Sequence, residues 1–248
     1  MHPKHYEISK IEKLPDSEAQ ITGEITLPFL VACRAEALKN FKKTASLPGF
    51  REGHVPDDVL VRNIGEMRLL EETAEIALGK EYPNIILESK LKPIARPEIA
   101  VTKMVPGSPL EFKALVVLEP EFDLPDYKKI AKEVPLEKAL KPEEETKMRE
   151  KRRLKMIENL IKETKIEVPK RLVEGELVHM LHHFQQDVEK AGIKWEEYLK
   201  KIDKKEEEVK ETWREHIISR AKTELLLSKI AQKENLDTYQ KVFEMLEA

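Results

Sequence analysis

Apolar and polar residues alternate near the start of the chain, which predicts a strand pair with one buried sheet face. The alternating positions follow a turn at 15–17 and are Ala19, Ile21, Gly23, Ile25 and Leu27. A second strand pair is expected at 99–101 and 112–118, separated by a proline-containing turn at 106–109. The first half of the chain is therefore expected to contain antiparallel strands with one sheet face against a core.

Between the two strand pairs the apolar spacing becomes helical. It begins after Pro28, and a break at 47–49 ends it. The apolar positions of this helix are Val31, Ala35, Leu38 and Ala45. Pro56 suits the first turn of a second helical stretch, which continues past Gly65 to about Ser89 as one interrupted helix or two. We expect these helices to cover the sheet.

Four prolines lie in residues 119–142 and predict an ordered connector rather than a flexible tether. We place an N-terminal domain at 1–133, a connector at 134–142 and a helical C-terminal domain at 143–248. The boundary follows from the change in pattern, because no strand signal is found beyond it.

The pattern beyond residue 142 is helical throughout. A first amphipathic helix includes 154–161, and later ones include 195–202, 209–225 and 239–246. Helical spacing is strictest at Val173, Leu177, Met180, Leu181, Phe184 and Val188, before a natural C-terminal cap at Gly192. The predicted fold class is α+β, with an N-terminal domain of antiparallel strands and long helices followed by an all-α C-terminal domain.

Composition and charge narrow the range of functions. The 248 residues include 44 basic and 47 acidic ones, and the net charge of -3 provides no global attraction to nucleic acid or an anionic membrane. The single cysteine, Cys33, fits a reducing compartment. The chain begins without the apolar core of a signal peptide and has no window long enough to span a membrane, so a soluble cytoplasmic protein is expected.

Residue patterns for common chemistries are weak in this chain. The eight glycines form neither common phosphate-binding motif, so neither nucleotide use nor any cofactor is expected. His179 and His183 stand four residues apart, with His182 beside them, but a solvated helix face is favoured over a metal site. Cys33 is interpreted as a small buried apolar residue rather than a nucleophile. The basic run at 147–155 is interleaved with glutamates, which favours surface ion pairs over RNA binding.

The loop between the first two helical stretches is unusual on physical grounds. It places Phe50 and Arg51 between two glycines, with Pro48 and Pro56 limiting its conformations. An apolar ring and a guanidinium on a pre-ordered tip suit docking, because little entropy is lost on binding. Spacing alone equally allows Phe50 to fold back as a staple between the helices.

This loop resembles the trigger factor signature, Gly-Phe-Arg-x-Gly-Lys-x-Pro. The segment that carries the resemblance is Leu47-Pro48-Gly49-Phe50-Arg51-Glu52-Gly53-His54-Val55-Pro56. The order of strands and helices around it is similar to the family's N-terminal domain, and 120–127 resembles the segment that closes that domain. In the helical half, 166–169, 172–173, Gly192 and 197–199 resemble the family's substrate-cradling domain, so the resemblance spans nearly the whole chain.

The resemblance implies that the loop docks on the ribosome. The residues it implicates are Gly49, Phe50, Arg51, Glu52, Gly53, His54 and Pro56. Glu52 stands where many family members have lysine, and His54 replaces the lysine of the signature. The tip therefore carries less positive charge, and docking is expected to be weaker and salt-sensitive.

A second departure concerns the FKBP-type prolyl isomerase domain that lies between the two halves in the full-length family. Here Val134 to Pro142 leads almost directly into the final helices, so neither isomerase activity nor a catalytic residue is expected. The chain also stops soon after Phe243, which suggests that one helical arm of the cradle is short or absent.

The resemblance thus implies an ATP-independent chaperone, a holdase, that docks near the ribosomal tunnel exit and shields nascent or unfolded chains in a helical cradle. The implied partners are protein and RNA at the tunnel exit and unfolded polypeptides, with no membrane; a homodimer stays open. Two alternatives also stay open: a reduced prolyl isomerase, and a ribosome-independent assembly factor that binds proteins or RNA.

Overall fold

The computed structural model describes residues 4–48, 50–51, 54–135 and 145–247. The chain divides into two units, Met1–Leu118 and Glu119–Ala248. Most of the connector expected at 134–142 lies outside the described residues. The domain limits drawn from the sequence therefore stay a prediction. No helix in the described part of the chain is long and apolar enough to cross a membrane.

The first unit contains a four-stranded antiparallel sheet among its described residues. Its strands are β1 (Tyr6–Leu14), β2 (Glu18–Ile25), β3 (Glu98–Lys103) and β4 (Leu110–Val117), in the spatial order β1-β2-β4-β3. In β2 every second residue is buried, as the alternating pattern predicts. The predicted α+β class is confirmed.

Gly23 of β2 lies close against both neighbouring strands. A Cβ atom at this position would lie 2.5 Å from the carbonyl oxygen of Glu7 on β1 and 3.1 Å from Cζ of Phe112 on β4. The first distance is shorter than any ordinary van der Waals contact, so β1 and β2 pair in this register because residue 23 has no side chain.

Helices α1 (Leu27–Thr44), α2 (Asp57–Ile64) and α3 (Glu66–Ser89) complete the first unit. The open choice between one interrupted helix and two is resolved, because Gly65 adopts a φ of 86° and separates α2 from α3. Helices α1 and α3 contribute to one core with the sheet, whose buried members are Tyr6, Ile21, Ile25, Cys33, Ala74, Ala77, Leu78, Ile85, Leu110, Phe112, Ala114 and Val116.

Helix α1 forms where it was predicted, but a different face of it is buried. Cys33 and Ala37 are the buried residues of the helix, whereas Val31 and Ala35 are exposed. Cys33 and Ala37 are four residues apart and small, so they allow close helix packing. Small residues add little to a hydrophobic pattern, which explains why the larger Val31 dominated the sequence signal.

The second unit is helical, as expected. Its helices are α4 (Tyr127–Lys132), α5 (Glu145–Glu163), α6 (Lys170–Lys190), α7 (Trp195–Ile202), α8 (Glu206–Glu234) and α9 (Tyr239–Glu247). Helix α6 buries Val173, Leu177, Leu181 and Val188, in agreement with its spacing. Gly192 follows it with a φ of 81°, and this confirms the predicted cap.

A cluster of aromatic rings joins α6, α7 and α8. Phe184 of α6 makes edge-to-face contacts with Trp195, Tyr198 and Trp213 at centroid distances of 5.8, 5.4 and 5.5 Å. Trp195 and Tyr198 stack on one another at 5.6 Å. These geometries are the favourable ones for aromatic pairs, so the cluster fixes how the three helices meet.

The proline-containing segment after β4 packs within the second unit. Tyr127 is buried and donates a hydrogen bond from its hydroxyl to Oε1 of Glu234 on α8, at 2.5 Å. The ammonium of Lys229 bonds the carbonyl oxygen of Phe122 and lies 4.1 Å from the centroid of its ring. This segment and α4 therefore contact α8 within the second unit.

Candidate functional site

The loop between α1 and α2 displays its central residues at the surface. Two turns shape it: the Phe50 N–H donates to the Leu47 carbonyl at 3.1 Å, and the His54 N–H donates to the Arg51 carbonyl at 3.0 Å. Phe50 is 41% exposed, and Arg51 is exposed beside it. The folded-back position that spacing alone allowed for Phe50 would have buried its ring.

The base of the loop is anchored on both sides. Val55 is almost fully buried, and Lys42 near the end of α1 forms a 2.5 Å ion pair with Asp57 at the start of α2. The guanidinium of Arg68 on α3 lies 5.5 Å from the ring centroid of Phe41. A tip on a fixed base keeps its entropy loss on binding small.

The residues expected at the docking site lie partly within the described chain. Gly49, Glu52 and Gly53 lie outside the described residues. Phe50, Arg51, His54 and Pro56 are all exposed. Arg51 is exposed, and a guanidinium is a group that binds carboxylates and phosphates.

An apolar groove, which the sequence pattern does not reveal, lies elsewhere in the first unit. It has a volume of about 230 Å³ and runs between α1, α3 and the turn that joins β3 to β4. Its wall includes Val31, which is 61% exposed, and Val105. Arg34 and Glu66 form a two-bond ion pair at its edge, with distances of 2.8 and 3.2 Å. Val31 is a large apolar residue on the exposed face of a helix whose other face buries Cys33, and it lines this groove.

The second unit also exposes large apolar side chains. Leu154 on α5 is 67% exposed and Val178 on α6 is 58% exposed, and Tyr239 at the start of α9 is exposed as well. The expected apolar face of α5 was Leu154, Ile157, Leu160 and Ile161; Ile157 and Leu160 are buried as predicted, but Leu154 is exposed and Met156 is buried in addition. Apolar side chains spread over long, charged helices can contact other chains without forming one large, contiguous hydrophobic patch that would promote aggregation.

Two arginines of the basic run on α5 make contacts within the second unit. Arg153 makes two bonds to the carboxylate of Glu247 on α9, at 2.6 and 3.0 Å, and its guanidinium lies 5.0 Å from the ring centroid of Phe243. Arg152 donates to the carbonyl oxygen of Val134 at 3.0 Å. Ion pairing was expected, but the partner of Arg153 comes from a distant helix rather than from the interleaved glutamates.

The other residues considered for chemistry are placed as follows. Cys33 is buried in the first core, and burial raises the pKa of its thiol, so the reactive thiolate is disfavoured. In the described residues no group of three or more histidine, cysteine, aspartate or glutamate side chains is arranged to hold a metal ion. His179, His182 and His183 are exposed on α6.

Family models match both parts of the chain. The model described as "Bacterial trigger factor protein (TF)" matches residues 8–152, and the one described as "Bacterial trigger factor protein (TF) C-terminus" matches residues 134–247. The two matches overlap, so no unmatched residues lie between them.

Curated relatives match about half of the chain, and a solved structure matches its fold. The chain is 37% identical over 127 residues to trigger factor of Cutibacterium acnes and 34% identical over 119 residues to that of Bacillus subtilis. These alignments cover 51% and 48% of this chain but only 24% and 28% of the relatives. A solved structure described as "Promiscuous Substrate Recognition in Folding and Assembly Activities of the Trigger Factor Chaperone" has a TM-score of 0.55 at 13% identity and covers 92% of this chain and 86% of its own, which supports the fold.

Proposed function

The chain belongs to the trigger factor family, and from that premise we propose that it is an ATP-independent, cytoplasmic chaperone that docks on the ribosome through the Phe50-Arg51 tip. Its clients would be nascent or unfolded polypeptides, held on apolar side chains of the helical unit and released when folding buries their own apolar segments. No bound nucleotide is needed for such a cycle.

The exposed tip carries the docking part of the proposal. Phe50 supplies an apolar ring and Arg51 a planar cation, the combination that suits a surface made of protein and RNA. The anchored base at Val55 and the Lys42–Asp57 pair presents both side chains in a restricted arrangement.

Co-sedimentation with ribosomes at low salt tests the docking. We expect the wild type to pellet with ribosomes and Phe50→Ala/Arg51→Ala to stay in the supernatant, because truncating central contact residues commonly weakens binding by about 2 kcal/mol or more, roughly 30-fold in Kd. If the wild type remains in the supernatant at low salt, the docking proposal is wrong.

A matched control is Leu87→Ala/Arg96→Ala, which removes another exposed apolar residue and another exposed arginine of the first unit. Leu87 lies near the end of α3, whereas Arg68, which contacts Phe41 at the base of the loop, lies near its start. A helix rises about 1.5 Å per residue, so Leu87 is about 30 Å from Arg68 along α3. This variant should pellet like the wild type.

Holding of unfolded chains is tested separately from docking. The purified protein should suppress aggregation of a chemically unfolded protein in the absence of ATP, and Phe50→Ala/Arg51→Ala should do so equally well. If the wild type leaves aggregation unchanged at a several-fold molar excess, the holdase part of the proposal fails even where docking holds.

We also propose that the chain has no prolyl isomerase activity. The overlap of the two family matches at 134–152 supports this, since it leaves no segment for a central module. In a refolding assay limited by proline isomerisation, the rate with this protein should equal the uncatalysed rate. A marked acceleration would favour the reduced isomerase instead.

A further inference from the structure

Helix α6 brings two imidazole nitrogens together at its surface. Nε2 of His179 and Nε2 of His183 are 3.1 Å apart, and their rings meet edge to face with centroids 4.4 Å apart. At this distance one ring can donate its N–H to the other. The same separation also suits two ligands of one metal ion, because nitrogens bound to Zn²⁺ at about 2.0–2.1 Å lie roughly 3 Å from each other.

The surroundings leave this pair open to solvent. Both histidines are exposed, and side chains on a helix lean toward its N-terminus, so the His179 ring extends toward the preceding turn. Residue 175, four positions earlier, is a glycine, and a Cβ atom built on it would meet no neighbouring atom within 4 Å. The space beside His179 can therefore admit an ion and its water molecules.

Helix α6 places no cationic side chain directly beside the pair. Helix α6 has no lysine or arginine from Leu172 to Glu189, although the chain has 44 basic residues. Its acidic residues in this stretch are Glu174, Glu176, Asp187 and Glu189. Arg214 and Arg220 of α8 pair with Glu174 and Glu176 at 2.5 and 2.7 Å, and Lys190 at the end of α6 pairs with Asp187 at 3.3 Å, so three of these carboxylates already have a cationic partner.

His182 stands apart from the pair although it is adjacent in sequence. Its Nε2 lies 2.9 Å from Nε2 of Gln186, and its ring centroid is 6.4 Å from that of His183. Because an amide nitrogen only donates, the Nε2 lone pair of His182 is used by this bond. His182 therefore lies on the same exposed helix surface but does not belong to the pair.

We propose that His179 and His183 bind a divalent late transition-metal ion such as Zn²⁺, with water completing its coordination shell. Imidazole is a preferred ligand of these ions, and a pair at i, i+4 places both nitrogens on one side of the helix. The sequence alone favoured a solvated face, whereas the 3.1 Å separation and the open side at Gly175 favour a site.

Calorimetric titration of the untagged chain with ZnCl₂ tests this site. We expect one ion per chain for the wild type and for His182→Gln, and an affinity at least about tenfold lower for His179→Ala and His183→Ala. Loss of partners that merely support metal ligands costs about 10- to 100-fold in affinity, so loss of a ligand should cost no less. Zn²⁺ should also shift the ring-nitrogen NMR signals of His179 and His183.

The variants involve exposed side chains, so circular dichroism should show unchanged helix content in all of them. The proposal is overturned if the wild type binds no Zn²⁺ at millimolar concentration, or if His182→Gln weakens binding as much as His179→Ala does. It is also overturned if the ring-nitrogen signals of His179 and His183 stay unshifted while Zn²⁺ binds, because the ion is then held elsewhere.

Discussion

Gly23 and Gly79 both lie inside regular elements, but their surroundings are opposite. Gly23 in β2 sits against the backbone of β1, whereas a Cβ atom at Gly79 in α3 would have no neighbour within 4 Å. The alternating pattern around Gly23 predicted its strand but not the close approach, because spacing along one strand says nothing of the distance to the next. Glycine is required at the first position and is only tolerated at the second.

We therefore expect Gly23→Ala to destabilise the first unit by about 1–3 kcal/mol, since β1 or Phe112 has to move. Gly79→Ala should stabilise it by about 0.4–1 kcal/mol, because alanine reduces the entropy of the unfolded chain and fits the helix. Amide hydrogen exchange of the core strands measures both effects. If Gly23→Ala leaves the stability of the first unit unchanged, the strands can move apart at this position without cost, and the prediction is wrong.

Two buried tyrosines, one in each unit, respond to alkaline pH. Burial, together with a bond to a carboxylate, raises the pKa of Tyr6 and of Tyr127 to about 12 from the ordinary value of 10. Tyr6 donates to Glu88 at 2.9 Å and Tyr127 to Glu234 at 2.5 Å. Because each pKa is higher in the folded state, the stabilisation is complete below pH 10 and is lost as pH rises toward 12.

The stability difference between the wild type and Tyr127→Phe should therefore shrink between pH 10 and 12. Both tryptophans, Trp195 and Trp213, lie in the second unit, so their emission during denaturant unfolding follows that unit alone. Tyr6→Phe alters the first unit and serves as the control. A difference that stays constant from pH 9 to 12 would contradict the assigned role of the Tyr127 hydroxyl.

At the scale of elements, helical spacing predicted where most helices lie but less reliably which face is buried. Helix α6 buries four of the six residues that its spacing indicates, and the other two, Met180 and Phe184, are half-buried. Helices α1 and α5 bury Cys33 and Met156 while leaving Val31 and Leu154 exposed. In these two helices, tertiary packing buries a face that differs in part from the apolar face of the sequence pattern. Helix α4 escaped detection because six residues between prolines are too few for a periodic signal.

The aromatic cluster allows a test of how α6, α7 and α8 are held together. Phe184→Leu keeps an apolar side chain but removes three edge-to-face contacts, so we expect the second unit to lose about 1–3 kcal/mol. Val178→Ala, at an exposed position of the same helix, should change stability by no more than about 0.5 kcal/mol. Denaturant midpoints from tryptophan emission compare the two, and equal effects would contradict the packing role of Phe184.

At the scale of the whole molecule, the sequence predicted an α+β N-terminal part and a helical C-terminal part, and both are confirmed. It also identified the loop, but spacing left the position of Phe50 open. The exposure of the Phe50 ring depends on how the folded helices pack around it. A local sequence pattern contains no information on that packing. The groove beside Val31 was missed for the same reason, since three separate elements form it.

The central claim, that the Phe50-Arg51 tip touches the ribosome, is tested most directly by site-specific photo-crosslinking. A benzoylphenylalanine placed at position 50 should crosslink to ribosomal protein or RNA when the protein is mixed with purified ribosomes. The same probe at position 87, exposed at the other end of α3, should not. Crosslinks from position 87 but none from position 50 would show that another surface makes the contact and would contradict the proposal.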